Sequence, residues 1–115
     1  MSDAADRTVV TMAQALNHGL RRALEGDPKT VLMGEDIGRL GGVFRVTDGL
    51  QKDFGEHRVI DTPLAESGIV GAAVGLAMRG YRPVLEMQFD GFVYPTFDQI
   101  VSQVAKLRRR TEGAI

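Results

Sequence analysis

Apolar and small side chains recur at helical spacing near the start of the chain. Thr11 is followed three residues later by Gln14, which is the spacing of a capping box. The residues that repeat every three or four positions behind this cap are Met12, Ala15, Leu16, Gly19, Leu20, Ala23 and Leu24. Gly26, Asp27 and Pro28 are residue types that end helices. The pattern therefore predicts a first helix that begins after Thr11 and ends near Gly26.

Short apolar runs alternate with further helical segments along the rest of the chain. The segments predicted to be strands are residues 30–33 (TVLM), 58–61 (RVID) and 83–89 (PVLEMQF). The segments predicted to be helices are residues 47–54 and 66–79, followed by a third long helix after residue 96. Strands that alternate with helices in this way indicate an α/β fold, with a mostly parallel sheet and helices on both of its faces.

The third long helix is predicted from a second capping-box spacing. Thr96 and Gln99 stand three residues apart, and apolar residues follow at helical spacing. Those expected on its buried face are Ile100, Val101, Val104 and Leu107. The basic run over residues 106–110 (KLRRR) suits the end of this helix, because cations interact favourably with a helix C-terminus.

Composition narrows the class of protein. The chain has 115 residues, which allow one domain, and its fourteen Lys and Arg residues against fifteen Asp and Glu residues give a net charge of −1. That balance provides no global field to attract nucleic acid or an anionic membrane. No apolar run approaches the roughly 18 residues that span a bilayer. We therefore expect a soluble cytoplasmic domain over residues 8–115, preceded by a flexible tail over residues 1–7, with neither a nucleic-acid nor a membrane partner.

The sequence contains few residues that could bind a transition metal or act as thiols. Cysteine is absent, which excludes disulfides, thiolate zinc sites and cysteine nucleophiles. The two histidines, His18 and His57, have no plausible set of partner ligands. We therefore expect no metal ligands in this chain.

A glycine-rich loop, residues 34–42, follows the first predicted strand, where α/β folds place ligands. It contains neither the Gly-Lys-Ser/Thr of a phosphate-binding loop nor a Gly-x-Gly-x-x-Gly that opens a helix, and its two acids would repel phosphate. The favoured interpretation is that the glycines supply backbone conformations with positive φ. A ligand-binding role is the alternative.

Glu66 follows the second predicted strand and opens the second long helix. An acid in the first turn of a helix is favoured by the helix dipole alone. The helix behind Glu66 is apolar on nearly every side and contains Gly68, Gly71 and Gly75, so we expect it to be buried in close contact with another backbone. A carboxylate at such a helix start, beside the carboxyl end of a strand, is a candidate for function.

Four of the seven aromatic residues fall within nine positions, at Phe89, Phe92, Tyr94 and Phe97. Such a cluster is more often part of a core than of a pocket. Its position counters this reading, because it runs from the end of the third predicted strand into a loop that contains Gly91 and Pro95. Both interpretations stay open from these residues alone.

Taken together, five segments resemble a known family. They are residues 33–38 (MGEDIG), 41–45 (GGVFR), 58–63 (RVIDTP), 66–71 (ESGIVG) and the spaced pattern of Gln88, Phe89, Phe92, Pro95 and Asp98–Ile100. Their order and spacing resemble the N-terminal part of the β subunit of 2-oxoacid dehydrogenase E1 components, most closely the branched-chain and pyruvate dehydrogenase forms. The resemblance covers the chain from about residue 8 onward and implies a truncated, transketolase-like pyrimidine-binding domain of thiamine diphosphate enzymes.

The resemblance assigns roles to three side chains. Glu66 would be the catalytic carboxyl that contacts N1′ of the aminopyrimidine of thiamine diphosphate. Phe92 would pack on the pyrimidine, and Phe89 would help to form the same pocket. Gln88 and Tyr94 are weaker candidates. Mg²⁺ and the diphosphate would be held by an E1 α subunit, because this chain has no Gly-Asp-Gly…Asn segment.

The resemblance also implies partners and a reaction. The β subunit would join the α subunit and a second β subunit in an α2β2 tetramer. That tetramer would oxidatively decarboxylate a 2-oxoacid and transfer the acyl group to the lipoyl groups of an acyltransferase (E2). Which 2-oxoacid is used stays open. The alternative is a noncatalytic α/β assembly or binding module, since the 115-residue chain by itself would be inactive.

Overall fold

A computed structural model of the chain describes residues 9–115, and the tail predicted over residues 1–7 lies outside the described residues. Its α-helices are α1 (Met12–Gly26), α2 (Leu50–Phe54), α3 (Glu66–Met78) and α4 (Ala105–Arg110). Its strands are β1 (Thr30–Gly34), β2 (Val59–Asp61) and β3 (Arg82–Glu86). A 3₁₀ helix (Asp90–Thr96) and a π-helical segment (Gln99–Val104) lie between β3 and α4.

The start of α1 confirms the predicted capping box. The Thr11 hydroxyl accepts a hydrogen bond from the backbone N–H of Gln14 at 3.2 Å, and the Gln14 side-chain oxygen accepts one from the backbone N–H of Thr11 at 2.9 Å. Two donors at the helix start are thereby satisfied. The helix ends at Gly26, as the sequence pattern predicts.

The three strands form a parallel sheet in the order β2-β1-β3. Gly34 at the end of β1 lies opposite Asp61 at the end of β2 and opposite Glu86 at the end of β3. The carboxyl ends of all three strands therefore meet at one edge. Because the chain runs from β1 to β2 on one side and then crosses to β3 on the other, the gap between the loops after β1 and β3 is a topological switch point.

Helices cover both faces of this sheet, which confirms the predicted fold class. Leu32 points to one face and packs with Leu24 of α1, Leu50 of α2 and Val59. Its neighbour Met33 points to the other face and packs with two residues of α3, Ile69 and Ala73. The alternation follows from the two-residue period of a strand.

A third long helical segment follows residue 96 as predicted, because residues 97–110 are helical without a break, but its capping and its buried face differ from the prediction. The Thr96 hydroxyl donates to the carbonyl oxygen of Val93 at 2.6 Å and does not cap a helix, because the backbone is already helical at Phe97 and Asp98. The 3₁₀ helix leads directly into this segment, which is π-helical over Gln99–Val104 and ends as α4. The predicted buried face is also wrong: Ile100, Val101 and Val104 are 37–51% exposed and Leu107 is half-buried.

Two other expectations need correction. The second long helix, α3, was expected to be buried all round, yet only Ile69, Val70 and Ala73 are buried. The sheet covers one side of α3 only, so Gly68, Gly71 and Gly75 are exposed. The third strand ends at Glu86 and not at residue 89, because its partner β1 ends opposite that residue.

Arg58 connects the first helix to the sheet. Its guanidinium donates to the carbonyl oxygen of Thr30 at 2.6 Å, of Leu24 at 2.9 Å and of Asp27 at 2.8 Å. The Leu24 carbonyl belongs to the last turn of α1 and has no partner within the helix. One half-buried side chain therefore satisfies three backbone acceptors at the junction of α1, β1 and β2.

We predict that Arg58→Met, which keeps the aliphatic stem, lowers the free energy of unfolding by about 2–4 kcal/mol, because three carbonyls lose a charged donor. Urea denaturation followed by circular dichroism measures this loss. Arg22→Met, at an exposed position of α1, is the matched control and should change stability by less than about 0.5 kcal/mol. Equal effects of the two substitutions would contradict this role for Arg58.

Candidate functional site

The candidate site lies at the carboxyl edge of the sheet, where open α/β folds bind ligands. Three segments meet there: the loop after β1, the segment 62–65 that leads into α3, and residues 87–89 after β3. The backbone N–H of Thr62 donates to the carbonyl oxygen of Gly34 at 2.9 Å. The Gln88 side chain donates to the carbonyl oxygen of Glu35 at 3.3 Å. These bonds hold the segments after β2 and β3 against the end of β1.

Glu66 is the first residue of α3, as predicted, and its side chain is partly buried. The preceding residue, Ala65, provides no side-chain cap for the helix. The first-turn N–H groups therefore depend on Glu66, on solvent or on a ligand, and the helix dipole favours negative charge at this end. The structure thus places a carboxylate at the polar end of a helix that faces the carboxyl edge of the sheet.

Glu35 is a second carboxyl at this edge, and the sequence interpretation did not include it among the site residues. It is only 7% exposed, and its Oε1 atom is enclosed without a hydrogen-bond partner. Burial raises the pKa of Glu35, and the nearby charges of Glu66 and Asp36 raise that pKa further, while hydrogen bonding from the backbone of Ala65 acts in the opposite direction.

A signal for Glu35 was present in the sequence. Residues 30–33 are wholly apolar and were predicted to be a strand covered on both faces. The first side chains beyond such a strand remain close to the covering layers. An acid placed there is desolvated, and perturbed acids gather at functional sites.

The predicted aromatic residues form a ring cluster at the same edge. Phe89 and Phe92 meet edge to face, with ring centroids 5.4 Å apart and an interplanar angle of 77°. Phe44, from the loop after β1, meets Phe89 in the same manner at 5.5 Å and 74°. Phe89 is 43% exposed and Phe92 41% exposed, so neither ring is buried by the described residues. Tyr94, a weaker candidate, is 79% exposed and belongs to no ring pair among residues 9–115.

The 3₁₀ helix that carries Phe92 packs against α3, the helix that Glu66 opens. The structure therefore brings the carboxyl-bearing helix and the aromatic segment to one side of the sheet edge. Glu35 and Gln88 lie between the ends of β1 and β3, at the topological switch point. This arrangement offers carboxyl groups to a polar ligand edge and phenylalanine rings to a flat ligand face.

The glycine-rich loop supports the interpretation made from its sequence. Gly41 and Gly42 have φ values of 82° and 79°, a region that side-chain-bearing residues rarely adopt. Gly34 is required for a different reason, since a Cβ there would lie 2.9 Å from the side chain of Ile37. Within residues 9–115, no group of three or more His, Asp or Glu side chains is arranged to hold a metal ion.

Among residues 9–115, no helix combines the length and the apolar character that a membrane span requires.

The fold is that of an open α/β domain, and such domains commonly bind ligands at the switch point of the parallel sheet. Residues 8–114 match the family model described as transketolase, pyrimidine binding domain, and the chain belongs to that family. The family assignment expected from the sequence is confirmed.

Curated relatives agree with the expected resemblance. The chain is 66% identical over 104 residues to a protein of Leifsonia xyli subsp. xyli named pyruvate dehydrogenase E1 component subunit beta, a match to 90% of this chain and 31% of that protein. It is 58% identical over 104 residues to proteins of the same name from Staphylococcus epidermidis and Staphylococcus aureus, matching 90% of this chain and 32% of each. The chain therefore spans about a third of the length of the curated relatives it matches.

The buried carboxyl of Glu35 predicts a specific pH dependence. Its pKa in the folded chain is raised above the ordinary value of 4.5. The contribution of Glu35 to stability is therefore fully present below about pH 4.5 and is lost as the pH rises through the raised value. Glu35→Gln removes the charge and should raise the free energy of unfolding at pH 7 relative to the unsubstituted chain.

Urea denaturation at several pH values measures this difference. The gain from Glu35→Gln should vanish below pH 4.5, where both chains carry a neutral side chain at position 35. Glu25→Gln, at an exposed position of α1, is the control and should show little gain at either pH. A loss of stability at pH 7 in the Glu35 variant would refute the assignment of Glu35 as a strained acid.

Proposed function

We propose that this chain is the N-terminal part of the pyrimidine-binding domain of an E1 β subunit, in a thiamine diphosphate-dependent 2-oxoacid dehydrogenase. The proposed reaction is oxidative decarboxylation of a 2-oxoacid, with transfer of the acyl group to lipoyl groups. The family match and the printed names of the relatives support this assignment. Those names favour pyruvate over a branched-chain 2-oxoacid as the substrate.

The observation that carries the proposal is the pairing of carboxyl groups with half-exposed aromatic rings at the switch point. A stable core would bury phenylalanine rings and would keep acids in solvent. Here the opposite holds, because Glu35 is 7% exposed while Phe89 and Phe92 are more than 40% exposed. A buried acid at the same sheet edge as open aromatic rings suits a flat, nitrogen-containing aromatic ligand.

The residues present fit the aminopyrimidine half of thiamine diphosphate. Such a ring has polar atoms along its edge and an aromatic face. The structure provides two enclosed polar atoms without partners at the sheet edge, Oε1 of Glu35 and Oγ1 of Thr62. It also provides the open rings of Phe89 and Phe92, which can pack against a ring face.

Each side chain then has a proposed role. Glu66 holds a proton against N1′ of the aminopyrimidine and orients that ring. Phe92 packs on the ring face and, with Phe89, excludes water from it. Glu35, whose charge interacts with that of Glu66, adds a second proton-binding group. The bound cofactor itself supplies the nucleophile and the electron sink for decarboxylation.

The other half of the cofactor is assigned to a partner. Among residues 9–115, no three His, Asp or Glu side chains are grouped as metal ligands. We propose that an E1 α subunit holds Mg²⁺ and the diphosphate, within an α2β2 assembly that delivers acyl groups to E2. The names of the relatives, which describe one subunit of one component, support a shared site of this kind.

The second candidate function is a noncatalytic assembly module. It is favoured by an apolar groove between α3, β3 and α4, lined by Val70, Val74, Leu85, Val104 and Leu107. Both functions predict that the chain captures an α subunit in a pull-down experiment. Binding of thiamine diphosphate by the resulting assembly separates them, because an assembly module has no need of the cofactor.

We predict that Glu66→Ala, in the full-length subunit assembled with its α partner, reduces 2-oxoacid decarboxylation at least 100-fold, since a positioned proton-transfer group contributes about that much or more. Size-exclusion chromatography should show an unchanged assembly. Glu56→Ala, at an exposed position outside the site, is the control and should keep full activity. Turnover by the Glu66 variant within a few-fold of the unsubstituted enzyme would contradict the catalytic role proposed for Glu66.

A further inference from the structure

The loop after β1, residues 36–48, is held rigidly by its own hydrogen bonds. The hydroxyl of Thr47, which is 1% exposed, donates to the carbonyl oxygen of Ile37 at 2.6 Å. The backbone N–H of Gly42 donates to the carbonyl oxygen of Asp36 at 2.8 Å. From outside the loop, the Asn17 side chain of α1 donates to the carbonyl oxygens of Val46 and Asp48 at 2.8 and 3.0 Å.

This rigid loop presents Phe44 to solvent. Its ring is 56% exposed, although the loop that carries it is fastened at both ends. The next residue, Arg45, has a φ of 60°, which is the left-handed region and costs free energy for a residue with a side chain. The Arg45 guanidinium donates to the carbonyl oxygen of Leu40 and thereby helps to hold this conformation. The exposed ring of Phe44 is therefore carried by a loop whose conformation is fixed.

The ring contacts of Phe44 connect this fixed loop to the aromatic rings of the candidate site. Phe44 meets Phe89 edge to face at 5.5 Å, and Phe89 meets Phe92 edge to face at 5.4 Å. The three rings form a chain that begins in the rigid loop and ends in the 3₁₀ helix. Phe89 itself lies between β3 and the 3₁₀ helix, in extended backbone outside both elements. Two rings contact Phe89. Of these, only the ring of Phe44 belongs to a segment, the loop after β1, that its own hydrogen bonds hold in place.

We propose that Phe44 is a positioning residue of the cofactor site: it fixes the ring of Phe89 and, through it, the ring of Phe92. This inference rests on the proposed function, in which Phe92 packs on the aminopyrimidine. Without Phe44 the ring of Phe89 loses its edge-to-face partner and gains rotational freedom. Binding the cofactor then has to order both phenylalanine rings, and that entropy cost weakens affinity.

The expected effect follows from the strength of one aromatic pair. Edge-to-face pairs contribute enough for a roughly two- to twelvefold change in a dissociation constant. Phe44→Ala should therefore weaken thiamine diphosphate binding by a factor within that range. The effect should be confined to ligands that contain the pyrimidine.

The test uses isothermal titration calorimetry on the full-length β subunit assembled with its α partner. Each assembly is titrated with thiamine diphosphate and, separately, with inorganic pyrophosphate, both in the presence of Mg²⁺. Phe44→Ala should weaken thiamine diphosphate binding and leave pyrophosphate binding unchanged, and Phe44→Tyr should restore the affinity. Val43→Ala, in the same loop and also exposed, should bind both ligands like the unsubstituted assembly.

Other outcomes overturn the inference in distinguishable ways. Equal weakening of both ligands by Phe44→Ala would show a general structural defect and would refute a positioning role. Unchanged thiamine diphosphate binding in Phe44→Ala, together with weakened binding in Phe92→Ala, would refute the inference and leave the proposed function standing. No binding of thiamine diphosphate by the unsubstituted assembly would refute the proposed function and this inference with it.

Discussion

The burial of β1 on both faces is the constraint on which the rest of the structure depends. Every residue from Thr30 to Gly34 is buried, and the strand pairs with β2 on one side and with β3 on the other. Two separate cores form against its two faces. Because β1 ends between two neighbours in register, the chain beyond Gly34 enters an enclosed position, and Glu35 is the residue placed there.

Burial of the Glu35 carboxyl lowers the stability of the folded chain and is typical of functional acids. A carboxyl with an enclosed, unpartnered oxygen destabilises the folded chain when it is charged. The three charged hydrogen bonds of Arg58, at the opposite end of the same strand region, act in the other direction. At the amino end of β1 the backbone carbonyls are hydrogen-bonded by Arg58. At its carboxyl end the buried Glu35 has a carboxyl oxygen without a hydrogen-bond partner. Catalytic and binding groups are commonly concentrated at such strained positions.

Patterns among neighbouring residues predicted the helices and strands well, and predicted poorly which side chains are buried. The Thr11 capping box and the apolar run of β1 depend on neighbouring residues alone, so the sequence was sufficient for both. Glu66 at a helix start and the phenylalanines near a strand end followed from position along the chain. The failure of the cap at Thr96 is local, since its hydroxyl donates to the carbonyl oxygen of Val93 three residues earlier in the 3₁₀ helix. The Phe44–Phe89 contact joins residues 45 positions apart, and no local sequence pattern predicts it.

The exposure of the aromatic chain has a thermodynamic consequence for the proposed site. Phe44, Phe89 and Phe92 each leave 41–56% of their surface open, so much of their apolar area can still be buried. A cofactor can cover one side of these rings and a partner subunit another side. Binding of either one then orders the same rings that binding of the other requires to be ordered. Cofactor binding and subunit assembly must then strengthen each other by the same factor, because linkage between two binding free energies is reciprocal. A half-open aromatic chain is therefore suited to a site completed by two components.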